Sequence, residues 1–352
     1  MQAVRDVEKK CKFGIMKLVT FEYADGTELG LIHESTIYRL KQIDPSLPTD
    51  MLTLLKGGEE RLNQVRQMDQ DIKNRGSRRS AHAVSTPYTE AGIPESAVRL
   101  LAPLPNPGSC RDAYAFRQHV ETSRANRGLA MIPEFDEFPV FYFTNHRAIH
   151  GPGDVYGMPR QFEQLDFELE VAVVLHKQGR NIPAAEADQY IAGFMIMNDL
   201  SARRLQMEEM KLNLGPAKGK DFSTVLGPWL VTPDELTPYL VPPRPGREGL
   251  IYDLSMSCRV NGVEVSRGSL ADMHWSFAEI IERVSYGVDV YPGDVIGSGT
   301  VGTGCFLELN GTGKRANPDH FTEQWLEPGD IIELEVTGLG ILKTQVWMHE
   351  SV

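Results

Sequence analysis

Apolar and polar positions alternate from Gly14 to Leu40, and the turn residues Ala24-Asp25-Gly26 divide the run into Lys17–Tyr23 and Glu28–His33, which predicts a hairpin. Two amphipathic stretches follow, Thr49–Leu55 and Glu59–Asn74. From Gly76 to Glu90 the periodicity fades into polar residues, as in a linker or surface excursion, and a boundary is expected near residue 100. Beyond it strand patterns dominate: Leu165–Leu175, Ile191–Met197, Leu254–Val265 folded back at Asn261-Gly262, Val295–Ser298, Phe306–Leu309 and Ile331–Val336. Helices are expected at Asp112–Arg124, Ala185–Tyr190, Ser201–Met210 and Ser276–Val284, and a loop at Val241–Pro245. Three turns share one form before a strand, at Gly151-Pro-Gly-Asp, Tyr291-Pro-Gly-Asp and Glu327-Pro-Gly-Asp, where Pro and Gly set the turn. The pattern predicts a mainly β (α+β) chain with a smaller N-terminal α+β domain, residues 1–100, and a strand-rich domain, residues 101–352.

Length and composition add limits. At 352 residues and 41% hydrophobic content, the chain has material for a sizeable core. Thirty-six Lys and Arg against 48 Asp and Glu give a net charge of -12, which argues against a nucleic-acid or anionic-membrane partner. An anionic substrate must then be caught by a local cluster of cations. The four cysteines, Cys11, Cys110, Cys258 and Cys305, are far apart and suggest neither a zinc ribbon nor a disulfide framework, so a reducing compartment fits. No stretch reaches the ~18 apolar residues of a membrane span and residues 1–20 mix charge with apolar positions, so a cytoplasmic protein is expected.

The chemistry begins at Leu165-Asp-Phe-Glu-Leu-Glu170, which runs into the apolar Val171–Leu175. Period two puts Asp166, Glu168 and Glu170 on one face. Taken alone, an acidic alternating strand is usually solvated. Continuity with a strand buried on both faces argues otherwise, and carboxylates crowded in a dry place gain protons or a hard cation, magnesium or calcium before zinc. Further carboxylates stand at Asp199, ending the apolar run from Ile191, and at Asp112, expected to open a helix beside Arg111.

Five separated segments, in order, resemble the fumarylacetoacetate hydrolase family across residues 100 to 350: Arg111-Asp-Ala-Tyr-Ala-Phe-Arg-Gln-His119, Asp166-Phe-Glu-Leu-Glu170, Met197–Gln206, Gly219-Lys-Asp-Phe-Ser-Thr224, and Gly297-Ser-Gly-Thr300 with Leu307-Glu-Leu309. The resemblance implies a β-roll catalytic domain behind a smaller N-terminal domain, commonly in a homodimer. It implies a magnesium, calcium or manganese ion on Asp112, Glu168, Glu170 and Asp199 with Thr224 nearby, and substrate contacts from Tyr114, Tyr142, Arg203, Gln206 and Thr300. His119, Glu308 and Lys220 would be catalytic, with Glu308 orienting His119. The segment Glu134–Thr144 matches loosely, and Arg124 and Arg127 both lie near the place of the family's substrate-gripping arginine, with the register choosing neither.

These assignments imply cleavage of a carbon–carbon bond in a small diketo acid. His119 would activate water, since imidazole titrates near neutral pH, and Lys220 with Gln206 would offset charge on the attacked carbonyl. Oxaloacetate decarboxylation, dienoate hydration and keto–enol isomerisation need the same chelated 2-oxo acid and stay open, and a non-catalytic binding protein is the alternative of another class. His146 and His150 precede Gly151-Pro-Gly with no acidic third ligand and read as loop residues. Gly297-Ser-Gly-Thr-Val-Gly302 matches a dinucleotide fingerprint, but a strand rather than a helix is expected to follow, so no pyrophosphate site is expected.

Overall fold

The computed structural model describes residues 16–24, 26–76 and 87–350. Most of the polar stretch expected as a linker, 77–86, lies outside the described residues, as does Asp25 of the hairpin turn.

A 12-stranded sheet organises the chain. Its path runs Gly92–Pro94, Thr36–Arg39, Gly26–His33, Lys17–Tyr23, Thr224–Val231, Ile191–Asp199, Leu169–Leu175, Asp294–Gly297, Ser109–Ala113, Phe141–Thr144. The N-terminal hairpin therefore joins the sheet of the larger region directly, through Leu18 opposite Leu230. A five-stranded sheet, in the order Val263–Ser269, Ser255–Val260, Ile331–Val336, Gly340–Met348, Gly153–Gly157, covers part of it.

Every residue of Leu169–Leu175 and Ile191–Asp199 is buried, because both faces of these strands are covered. Val171, Val173, Phe194 and Ile196 enter a large core with the five-stranded sheet and the helix Phe277–Ser285. Ala172, Val174, Met195 and Met197 enter a second core built with Met51, Leu54, Leu55, Val65 and Met68 from the N-terminal helices Met51–Lys56 and Gly58–Gly76. Each large aliphatic side chain so buried is worth about 1.5–3 kcal/mol. The N-terminal region thus roofs the back of the sheet whose strand ends carry the carboxylates.

Helix Phe277–Ser285 starts where expected, with Ser276 and Glu279 forming a reciprocal capping box. The three Pro-Gly-Asp turns also hold: Gly153, Gly293 and Gly329 have φ of 118°, 89° and 97°. In two of them the aspartate closes the turn, Asp294 accepting from Tyr291 N–H at 2.9 Å and Asp330 from Glu327 N–H at 2.8 Å.

Three expectations need correction. Asp112 does not open a helix: it lies in the strand Ser109–Ala113, fixed by parallel pairing with Asp294–Gly297, and the helix begins at Arg117. The run Leu165–Leu175 is two pieces, Leu165–Asp166 and Leu169–Leu175, because the Asn198 side chain takes the Glu168 N–H at 3.0 Å in place of a ladder partner. Phe306–Leu309 is the first turn of a helix, Phe306–Ala316, and not a strand. Its alternating apolar pattern misleads because the cap comes from far away: Asp166 accepts the N–H of Phe306 at 2.7 Å and of Leu307 at 3.0 Å. A helix therefore does follow Gly297–Gly302, where the sequence pattern predicts a strand. Its backbone donors are nonetheless taken, since Ser298, Gly299, Val301, Thr303 and Gly304 N–H all bond protein oxygens, leaving little to cradle a pyrophosphate.

Candidate active site

The strand ends converge on a cluster of buried carboxylates. Oxygen atoms of Asp112, Glu168 and Asp199 lie within 4.8 Å of one another, and the three residues are 3%, 5% and 0% exposed. Register explains the convergence: Asp112 is paired with Gly297 on one side and Tyr142 on the other, while Asp199 stands opposite Thr224. Gly297 leaves room for that carboxylate, since a Cβ there would stand 2.5 Å from the Asp112 Oδ1. Glu170, fully buried, shares the face of Ala172 and Val174, and its Oε1 accepts from Thr300 Oγ1 at 3.3 Å.

Charge at this point is unevenly settled. Burial, reinforced by Asp199, pushes the Asp112 carboxyl up to about 7. Burial and then Asp112 raise Glu170 well above the ordinary carboxylate range. Burial also raises Asp199, although Lys220 opposes it. Glu168 goes the other way: burial works against its charge, but Lys220 and Arg203 prevail and bring it down to about 2. The Lys220 ammonium contacts the Glu168 Oε2 and stands 2.8 Å from the Asp199 Oδ2. Two buried oxygens, Glu170 Oε2 and Asp199 Oδ1, have no hydrogen-bond partner. Orphaned acceptors in an all-carboxylate cluster fit a hard divalent cation.

Around the cluster, Arg203 is 2% exposed and its donors reach Asp166 Oδ2 at 2.9 Å, Glu168 Oε1 at 2.7 Å and Gln206 Oε1 at 3.0 Å. Arg203 and Gln206 are thus paired with one another. Tyr142 donates its hydroxyl to Asp199 Oδ2 at 2.5 Å, and burial, then Asp199, keeps that phenol protonated well above its usual range. Thr224 is buried, with its N–H on Ala148 O. The loop presenting Lys220 is held by Glu209, whose carboxylate takes the N–H of Ala217, Lys218 and Gly219. A Cβ on Gly219 would meet the Gln206 backbone at 2.7 Å.

The second element is a histidine–carboxylate pair. His119, 6% exposed on the helix Arg117–Ala125, has Nδ1 2.6 Å from Glu308 Oε2. Glu308 sits in the first turn of Phe306–Ala316, the helix packed against that of His119, and the same Oε2 accepts Thr303 N–H at 3.0 Å. Thr303 holds φ of 68°, a left-handed conformation costly for a β-branched residue. With Glu308 accepting at Nδ1, the neutral imidazole presents Nε2 as its free base position. The Tyr114 ring meets His119 edge-on at 5.8 Å between centroids. Asp166 joins the two halves, since it caps the helix of Glu308 and ion-pairs the Arg203 that holds Glu168.

Sequence reasoning did not single out Asp166, Asn198, Thr303 or Glu209 as supports. Asp166 was visible only as an alternating acid, and the others act through backbone contacts that no local pattern announces.

The family model Fumarylacetoacetate (FAA) hydrolase C-terminal matches residues 109–347. The human protein named oxaloacetate tautomerase FAHD2A, mitochondrial, is 30% identical over 336 residues, 94% of this chain and 91% of that protein. A 2,4-didehydro-3-deoxy-L-rhamnonate hydrolase from Sphingomonas is 30% identical over 213 residues, 60% of this chain and 66% of that protein. Among solved structures, a fumarylacetoacetate hydrolase from psychrophilic Exiguobacterium antarcticum superposes with a TM-score of 0.66 at 24% identity, covering 95% of this chain and 100% of that one. With a match across most of the sequence, a relative of nearly equal span and a common fold, the chain belongs to the fumarylacetoacetate hydrolase family.

Proposed function

We infer that the chain is a divalent-metal-dependent enzyme that moves a proton on an enolisable 2-oxo dicarboxylic acid, interconverting keto and enol forms of oxaloacetate or a close analogue. The observation that carries this reading is the joining, through Asp166 and Arg203, of a buried carboxylate cluster to a histidine held by a carboxylate.

Asp112, Glu168, Glu170 and Asp199 would hold the ion, with Thr224 beside Asp199. Bound there, a divalent cation would supply Lewis acidity toward a 2-oxo acid and so make its adjacent carbon-bound hydrogen more acidic. His119 Nε2 takes that hydrogen as a proton and returns it to the enolate, while Glu308 keeps the ring in the required tautomer and steadies the imidazolium. Lys220, released from Glu168 and Asp199, and the Thr300 hydroxyl face the oxygens on which negative charge gathers. Tyr114, Tyr142, Arg203 and Gln206 shape the substrate side.

The human relative, 30% identical over 94% of this chain, is named as an oxaloacetate tautomerase, which favours tautomerisation over carbon–carbon cleavage. Hydrolysis of a diketo acid remains the second reading, favoured by the complete His119–Glu308 pair, which activates water as readily as it removes a carbon-bound proton.

The test is product analysis on a panel. With magnesium, oxaloacetate should reach keto–enol equilibrium faster while its total amount stays constant, and chelator should abolish the acceleration. Cleavage of fumarylpyruvate or an acylpyruvate without any effect on oxaloacetate would replace tautomerisation by hydrolysis. Inertness toward both classes would overturn the proposal.

A further inference from the structure

Beside the carboxylate cluster stands a second set of donors with different chemistry. A ring nitrogen of His119, the sulfur of Cys305 and a carboxylate oxygen of Glu308 lie within 4.8 Å of one another, and all three residues are buried. Cys305 is a free thiol. It occupies the N-cap position of the helix Phe306–Ala316, and Glu308 follows three residues later in the first turn. Cysteine is not among the residues selected for capping, so helix initiation does not account for sulfur at this place.

We propose that His119, Cys305 and Glu308 form a binding site for a thiophilic divalent ion such as zinc, separate from the all-oxygen carboxylate cluster, and that occupation of this site shuts off the catalytic base. Nitrogen, sulfur and oxygen ligands of this kind suit zinc, whereas magnesium and calcium take oxygen. Tetrahedral bonds of about 2.0–2.3 Å put neighbouring ligand atoms roughly 3.3–3.8 Å apart, so donors already this close need only small side-chain movements. Three protein ligands leave a fourth position for water, as in open zinc sites. The ion takes the Glu308 carboxylate that now holds His119 Nδ1 at 2.6 Å and displaces the Cys305 thiol proton to solvent, so that sulfur binds as thiolate. It also removes the imidazole from proton transfer, so the two metals act in opposite directions.

The test uses the full chain with Cys11→Ser, to silence the thiol outside the described residues, saturated with magnesium and titrated with cobalt(II) as a spectroscopic stand-in for zinc. A thiolate-to-cobalt charge-transfer band should grow to one equivalent, vanish in Cys305→Ala and in Cys305→Ser, and weaken in His119→Gln. Having two substitutions at 305 guards against a folding defect in either. This readout needs no substrate, so it stands or falls apart from the proposed reaction. Where magnesium-dependent activity is measured, zinc should inhibit the Cys11→Ser protein reversibly by chelator and inhibit the additional Cys305→Ala variant at least tenfold less sensitively. Absence of the band, or its persistence without Cys305, would overturn the proposal.

Discussion

Replacing Lys220 by methionine isolates the competition between an internal cation and a metal ion. The Lys220 ammonium contacts Glu168 and lies 2.8 Å from Asp199, among the oxygens that would hold the metal. If the ammonium stayed about 4 Å from a divalent ion, repulsion at an effective dielectric constant near 20 would be about 8 kcal/mol. Lys220 must therefore swing away, giving up charged hydrogen bonds worth about 1.5–3 kcal/mol each, part of which new partners restore. Lys220→Met removes this contest while keeping an unbranched side chain, and magnesium should bind about 10–100-fold more tightly, equivalent to roughly 1.4–2.8 kcal/mol. Turnover should fall, because the lysine is no longer present to meet developing charge. Titration calorimetry at several pH values is the suitable assay, since burial raises both Asp112 and Glu170, loss of Lys220 raises Asp112 further, and both shed protons when the ion binds. An affinity equal to or weaker than that of the unmodified protein would refute the reasoning.

Further outcomes follow from the same geometry. His119→Gln should lower turnover by about two to four orders of magnitude while magnesium affinity stays within about twofold, because in the proposed reaction the ring would remove a proton and hold no magnesium; calorimetry and initial rates on one preparation check this. Gly297→Ala drives a methyl group against Asp112 Oδ1 and the Met197 sulfur, at 2.5 and 2.8 Å. It should cost about 1–3 kcal/mol of stability and weaken magnesium binding, as thermal melts with and without the ion would show. For pH, Asp112 and Glu170 have folded-state values raised above the ordinary range, chiefly by burial. Through Asp112 the metal-free folded protein then binds more protons than the unfolded chain between about pH 4 and about pH 7, and Glu170 acts in the same sense, so stability is lost as pH rises through that window. Glu168, lowered to about 2, acts in the opposite sense but below that window. Melts of chelated protein should fall from about pH 5 to about pH 8, and saturating magnesium should remove most of the fall.

What the chain discloses by itself depends on how local the cause is. The hairpin, the helix starting at Ser276 and the Pro-Gly-Asp turns were legible because their determinants lie within a few residues. The fully buried central strands were legible from unbroken apolar runs. The helix at Phe306 was not, because its cap is Asp166, 140 residues earlier, and Gly311 and Gly313 weaken its helical pattern. Asp112 is expected on a helix because its strand exists only through pairing with the distant segments Asp294–Gly297 and Phe141–Thr144. The acids of the candidate site could be named from spacing and resemblance. Their charge balance could not, since the partners Lys220, Arg203 and Tyr142 arrive from separate segments.

The central claim is that the carboxylate cluster and the His119–Glu308 pair act together on the carbon-bound proton of a 2-oxo acid. The most direct measurement is stopped-flow decay of the enol absorbance of oxaloacetate, with total oxaloacetate assayed in parallel, for the unmodified chain with magnesium, the same chain with chelator, and His119→Gln with magnesium. The account predicts rapid decay without loss of oxaloacetate in the first case, and the rate of protein-free buffer of matched metal content, or close to it, in the other two. Decay that persists after chelation, or that survives loss of the imidazole, would contradict it.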